Sequence, residues 1–147
     1  MSTVSRDNRA LGSAGLAIGS TPAQLSTARA VAVNINGRTI NCPAIATRAL
    51  TAGHTALAVN QLCALFVFSD IDGALFTVQS AILPASTGVG YVAGAFEFPH
   101  VDNRAPIGAI LVRSTSAIFT PGTTSLAGAG VATYFDAALD YGRPIPY

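Results

Sequence analysis

Lysine and tryptophan are absent from this 147-residue chain, and glutamate occurs once, at Glu97. Charged residues make up 10% of it, against about 25% in an average globular domain. Helix surfaces are built largely from Glu, Lys, Gln and Arg, so this supply excludes a fold that shows much helix to water. All eight basic residues are arginine, and six aspartates join the one glutamate, for a net charge of +1. A nucleic-acid footprint needs a clustered basic face, and the arginines are dispersed along the chain. No run reaches the roughly 20 apolar residues of a membrane helix. Residues 10–19, ALGSAGLAIG, are short, broken by Gly and Ser, and lack a basic n-region. Neither a membrane anchor nor a secretory signal is expected. Cysteine occurs twice, at Cys42 and Cys63, each among apolar neighbours. Two cysteines make no disulfide framework. Buried free thiols are the first expectation, and a Cys42–Cys63 bridge in an oxidising setting is the alternative.

What is present is apolar and small. Half the residues are hydrophobic, and mean hydropathy is +0.49. One domain with a real core suits this length. Low charge and near-zero net charge favour association. The expectation is a surface covered by copies of the same chain or by another protein. The rival reading is a monomer whose hydropathy is raised by alanine and glycine.

The pattern is that of strands and tight turns. Val31, Val33 and Ile35 alternate with Ala32 and Asn34, and Asn36-Gly37 follows. That dipeptide is the strongest short hairpin signal, because a type I′ turn needs φ > 0 at both central residues. Residues 39–42 form the return strand, closed by Pro43. Residues 62–68 read as a strong apolar strand. Asp70-Ile71-Asp72-Gly73 then turns into a partner over residues 75–79. Residues 91–98 and the apolar run 107–112 are further strands. Thr120-Pro121-Gly122-Thr123 suits a type II turn, and residues 131–136 alternate with a period of two. Residues 44–61 are ambiguous between a short helix and two short segments around Thr51-Ala52-Gly53-His54. The sum is seven or eight short strands at regular spacing, an all-β sandwich or barrel. It is flanked by an N-terminal arm, 1–29, and a Pro-rich tail, 141–147, around a β domain at 30–140. An arm of Ser, Thr, Gly and Ala gains order only when it docks. Leu11, Leu16 and Ile18 in the arm and Tyr141, Ile145 and Tyr147 in the tail are the candidate interface residues.

Chemistry-bearing patterns are few. Asp70-x-Asp72-Gly73 resembles the start of a calcium loop, but Ala74, Leu75 and Phe76 follow where oxygen ligands are needed. A plain turn with aspartate capping local N–H groups is the better reading. His54 and His100 are the only histidines. Either could act as a general base with Asp102 as its orienter, but abundant Ser and Thr make such a triad easy to imagine. Two histidines fall short of a zinc site. The phenylalanines at 66, 68, 76, 96, 98, 119 and 135 sit at strand positions and are expected in the core. No cofactor is expected and no enzyme is indicated.

Three stretches carry a resemblance. They are Ala14-Gly15-Leu16-Ala17-Ile18-Gly19-Ser20, then Val33-Asn34-Ile35-Asn36-Gly37 with residues 44–60 after it, and last the C-terminal third. That third runs from Ile107-Gly108-Ala109-Ile110 through Phe119-Thr120-Pro121-Gly122-Thr123-Thr124 to Thr133-Tyr134-Phe135-Asp136 and is the most specific. With these residues the chain resembles small bacteriophage virion proteins found beside major capsid proteins: head decoration, cement or fibre-base proteins. The resemblance implies a capsid decoration protein, made in the bacterial host cytoplasm, self-associating as a trimer and bound to the major capsid protein on the capsid exterior. Neither nucleic acid nor membrane is an expected partner. A head or tail fibre component involved in host attachment is the alternative.

Overall fold

The computed structural model describes residues 8–84, 99, 101–115 and 117–127, and the backbone of 130–136. The domain is all-β, with three antiparallel sheets and no helix among the described residues. Eleven strands are present there, against the seven or eight expected, because several are only two or three residues long. They are β1 (Arg9–Ala10), β2 (Leu16–Ile18), β3 (Leu25–Thr27), β4 (Val31–Ile35), β5 (Arg38–Cys42) and β6 (Ile45–Arg48), followed by β7 (Gln61–Ser69), β8 (Leu75–Gln79), β9 (Leu83–Pro84), β10 (Ala105–Ser114) and β11 (Gly130–Asp136).

The central sheet runs β11-β10-β7-β8, with β9 also paired to β7. Its inner strands are apolar on both faces, as buried strands are. From β7, Cys63, Leu65 and Val67 enter the main core, while Leu62, Ala64, Phe66 and Phe68 enter a second cluster on the opposite face. Strand β10 feeds the same two clusters through a bulge. Pro106 pairs with Phe68 and Gly108 with Val67, leaving Ile107 as the extra residue. One inserted residue reverses the side-chain parity of a strand. Ile107, Ile110 and Val112 therefore share the main core, and Ala109 and Leu111 the other cluster.

The two smaller sheets complete the main core. Strands β1-β4-β5 form one and β2-β3-β6 the other. Val31, Val33 and Ile35 are buried while Ala32 and Asn34 are half-buried, which is the alternation read from the sequence. The Asn36-Gly37 turn is a two-residue hairpin, since Ile35 pairs with Arg38 and φ is 54° and 80° at its central residues. The turn at 120–123 also forms as expected, with Thr123 N–H donating to Thr120 O at 3.0 Å and φ of 85° at Gly122.

The boundary expected at residue 30 does not appear. Strand β1 pairs with β4, and β3 with β6. Ala14 and Leu25 are fully buried and Leu16 is 7% exposed. Residues 9–27 are thus part of the domain and not a separate arm. Short strands hide this in the sequence, because two or three residues cannot display a period. Close approach of the backbone also matters. A Cβ at Gly15 (φ +67) would sit 2.9 Å from Ala28 Cβ, nearer than two carbons can pack.

Residues 44–61 contain no helix. They hold β6, a turn, and an antiparallel bridge between Leu57 and Phe119. The strand expected at 91–98, its Phe96 and Phe98, and the tail 141–147 lie outside the described residues, as does the Phe135 side chain. Phe66, Phe68 and Phe119 are buried as expected. Phe76 is half-buried, stacked on its cross-strand partner Phe68 at 5.7 Å between centroids.

Candidate interaction surface

Polar side chains inside this domain are engaged in holding segments together. The loop at 51–55 is sewn to the outer edge of β8 by side chains. Thr51 N–H donates to Thr77 Oγ1 at 2.9 Å, and Thr77 N–H donates to Thr51 Oγ1 at 2.8 Å. Thr55 N–H donates to Gln79 Oε1, and Gln79 Nε2 returns a bond to Thr55 O. Between these pairs His54 Nε2 lies 2.7 Å from Thr77 Oγ1. In the neutral ring this bond suits either tautomer, Nε2 accepting the Thr77 hydroxyl proton or donating to the second lone pair of Oγ1. Burial pushes the His54 pKa below its ordinary value, favouring that neutral form. His54 therefore has a structural partner. His100 lies outside the described residues.

Both cysteines are free and buried. Cys42 Sγ is 3.0 Å from Ser69 Oγ, which donates its one proton to Asp70 O at 3.0 Å. The Cys42 thiol is then the donor. Burial raises the pKa of Cys42, and raises that of Cys63 to about 11. Neither thiol is a reactive thiolate near neutral pH. Asp70 Oδ1 accepts from Asp72 N–H at 2.8 Å and from Ala74 N–H at 3.0 Å. The aspartate thus caps its own turn, as read from the sequence. No group of three or more His, Cys, Asp or Glu side chains converges among the described residues. None of the described residues forms a helix long and apolar enough to cross a membrane.

The candidate surface is the outer face of the sheet β1-β4-β5. Directly paired residues share a face. Arg9 pairs with Asn34 and Asn34 with Thr39. One step along, Leu11 N–H donates to Ala32 O at 2.8 Å, and Ala32 pairs with Asn41. These two rows point away from Val31, Val33 and Ile35. Arg9, Leu11, Thr39 and Asn41 are exposed, and Ala32 and Asn34 half-buried. The β7–β8 turn abuts the far edge, where a Cβ at Gly73 would lie 3.2 Å from Asn41 O. That turn carries Ile71, 51% exposed, and the opposite edge carries Leu11, 53% exposed. The face therefore carries Leu11, Ala32, Asn34, Thr39 and Asn41, with Arg9 its one charged side chain.

Of the sequence-picked interface residues, Leu11 is on this surface. Leu16 is in the core, and Ile18 is half-buried against it. Both are engaged within the domain, because β2 packs its apolar side inward. Tyr141, Ile145 and Tyr147 lie outside the described residues. The β4 alternation marked Ala32 and Asn34 as outward, but nothing local marked Arg9 and Leu11 as their neighbours. That pairing is long-range and has no signature in a two-residue strand. Comparison of the chain with protein-family models, with curated proteins and with solved structures gave no match.

Proposed function

We propose that this chain is a virion structural protein, a decoration or cement protein of a bacteriophage head. It self-associates, as a trimer, and binds the major capsid protein on the capsid exterior. The observation that carries this reading is the outer face of β1-β4-β5, where exposed Leu11 stands beside Ala32, Asn34, Thr39 and Asn41 and Arg9 is the one charge. A weakly charged β surface with an exposed leucine suits burial against another protein. The low charge of the whole chain and the resemblance of its three stretches support the same reading. The histidine, cysteine and aspartate side chains described above serve internal bonds, which favours a structural role over a catalytic one.

The test uses Leu11→Arg and Asn41→Arg, which place charge on this face without touching the core. Both variants should keep the wild-type melting temperature and lose oligomers in light scattering and capsid binding in co-sedimentation. Wild-type oligomer size and capsid binding in both would contradict the assignment of this face.

A further inference from the structure

We infer that Asn36-Gly37 is a hydrolytic deamidation site that Asn8 and Asn103 hold closed in the folded domain. It is the one asparagine of this chain that is followed by glycine. Glycine leaves the following backbone nitrogen unshielded. The Gly37 nitrogen attacks Asn36 Cγ, forming an N–Cγ bond and losing its proton. The Cγ–Nδ2 bond breaks, and Nδ2 leaves as ammonia carrying that proton. Water then opens the five-membered imide to aspartate or isoaspartate. Both residues of the turn are exposed, so water reaches them freely.

The geometry opposes the first step. Asn36 Nδ2 donates to Asn103 Oδ1 at 2.6 Å, and Asn36 Oδ1 accepts from Asn8 Nδ2 at 3.4 Å. The Asn36 backbone N–H donates to Asn8 Oδ1 at 2.7 Å. Both ends of the side-chain amide and the backbone behind it are therefore held. Attack requires Cγ to swing onto the Gly37 nitrogen, which breaks the two side-chain bonds. Asn8 is a firm anchor, since it is 4% exposed.

The product would reverse the clasp. Deamidation replaces the Nδ2 donor by a charged oxygen, which would face Asn103 Oδ1, acceptor against acceptor. Isoaspartate also lengthens the main chain inside a two-residue turn. Isoaspartate, with its longer main chain, displaces the β4–β5 turn from the turn at 102–103 that leads into β10. Slow hydrolysis at one dipeptide thus loosens the domain at a defined place.

The experiment follows isoaspartate and aspartate at residue 36 by peptide mapping, with the full chain held at mildly alkaline pH. Wild type is compared folded and in denaturant, beside folded Asn103→Gly and Asn103→Asp. Glycine accepts the positive φ of 59° at position 103 and removes the acceptor. Aspartate keeps an acceptor there. The folded wild type and N103D should react several-fold more slowly than the denatured chain, and N103G should react faster than both, between them and the denatured chain. Equal rates for folded and denatured wild type would overturn the inference. So would N103G, shown folded by its melting curve, reacting as slowly as wild type, or N103D reacting as fast as N103G. If N103G does not fold, Asn8→Asp keeps the acceptor for the Asn36 N–H and removes the donor to Asn36 Oδ1. Faster reaction than wild type is then expected, and an unchanged rate refutes the guarding role.

Discussion

Asn8 Oδ1 accepts the backbone N–H of Asn36 at 2.7 Å, across 28 residues of chain. One buried side chain thereby ties the residue before β1 to the tip of the β4–β5 hairpin. Asn8→Ala leaves that N–H without its partner. The expected cost is about 0.5–1.5 kcal/mol, the net contribution of one hydrogen bond whose donor water can reach. Thermal melting measures it, and a wild-type midpoint would show that water replaces Asn8 at no cost.

The turn itself makes a separate demand. Gly37 has φ of 80°, a conformation that a β-branched residue resists. Gly37→Val should lower stability by about 1–2 kcal/mol. Denaturant titration gives the number directly, and a variant as stable as wild type would require a different turn conformation.

Leu16 lies in the main core and not on a detachable arm. Leu16→Ala should cost about 2–5 kcal/mol, the range for truncating a buried leucine. Deleting residues 1–24 should abolish the cooperative unfolding transition, since β1 and β2 leave with them. A truncated protein with an unchanged melting curve would restore the arm.

Acid should weaken the 51–55 loop through His54. Burial lowers its pKa in the folded domain, so the unfolded chain takes up a proton first as the pH falls. Stability then declines from about the ordinary value of 6.5 downward, until the folded ring is protonated as well. His54→Gln should remove this part of the pH dependence. Denaturant titrations at neutral and mildly acidic pH compare the two, and superimposable profiles would show that His54 contributes none of the slope.

The Asp70 turn should need no metal. Its Oδ1 is occupied by two backbone N–H groups. A chelator should leave the melting temperature unchanged, whereas Asp70→Ala should lower stability by about 1 kcal/mol. A chelator-induced drop reversed by calcium would assign the loop to a cation.

Local chemistry was legible in the sequence where it alone decides the structure. Asn36-Gly37 and Pro121-Gly122 specify their turns through φ, and Val31, Val33 and Ile35 declare a face by alternation. The β7 run was legible as a strand, but its two buried faces required the second cluster beneath Phe66 and Phe68. Other features depend on partners far along the chain. Leu16 reads from sequence as a docking residue because Leu16-Ala17-Ile18 is too short to show a period. The bulge at Ile107 is invisible without β7 beside it. Thr51-Ala52-Gly53-His54 reads as a turn between two short segments, and only Thr77 and Gln79 on β8 explain how it is held. The candidate surface was half legible, Ala32 and Asn34 by alternation, Leu11 as an apolar residue without its sheet.

The proposed role is tested most directly by mass spectrometry and cryo-EM of bacteriophage particles purified from cultures that express this chain. The account predicts the chain in the particle, with its β domain seated on the outer shell and the β1-β4-β5 face buried against a neighbour. Purified particles that lack the chain would contradict it.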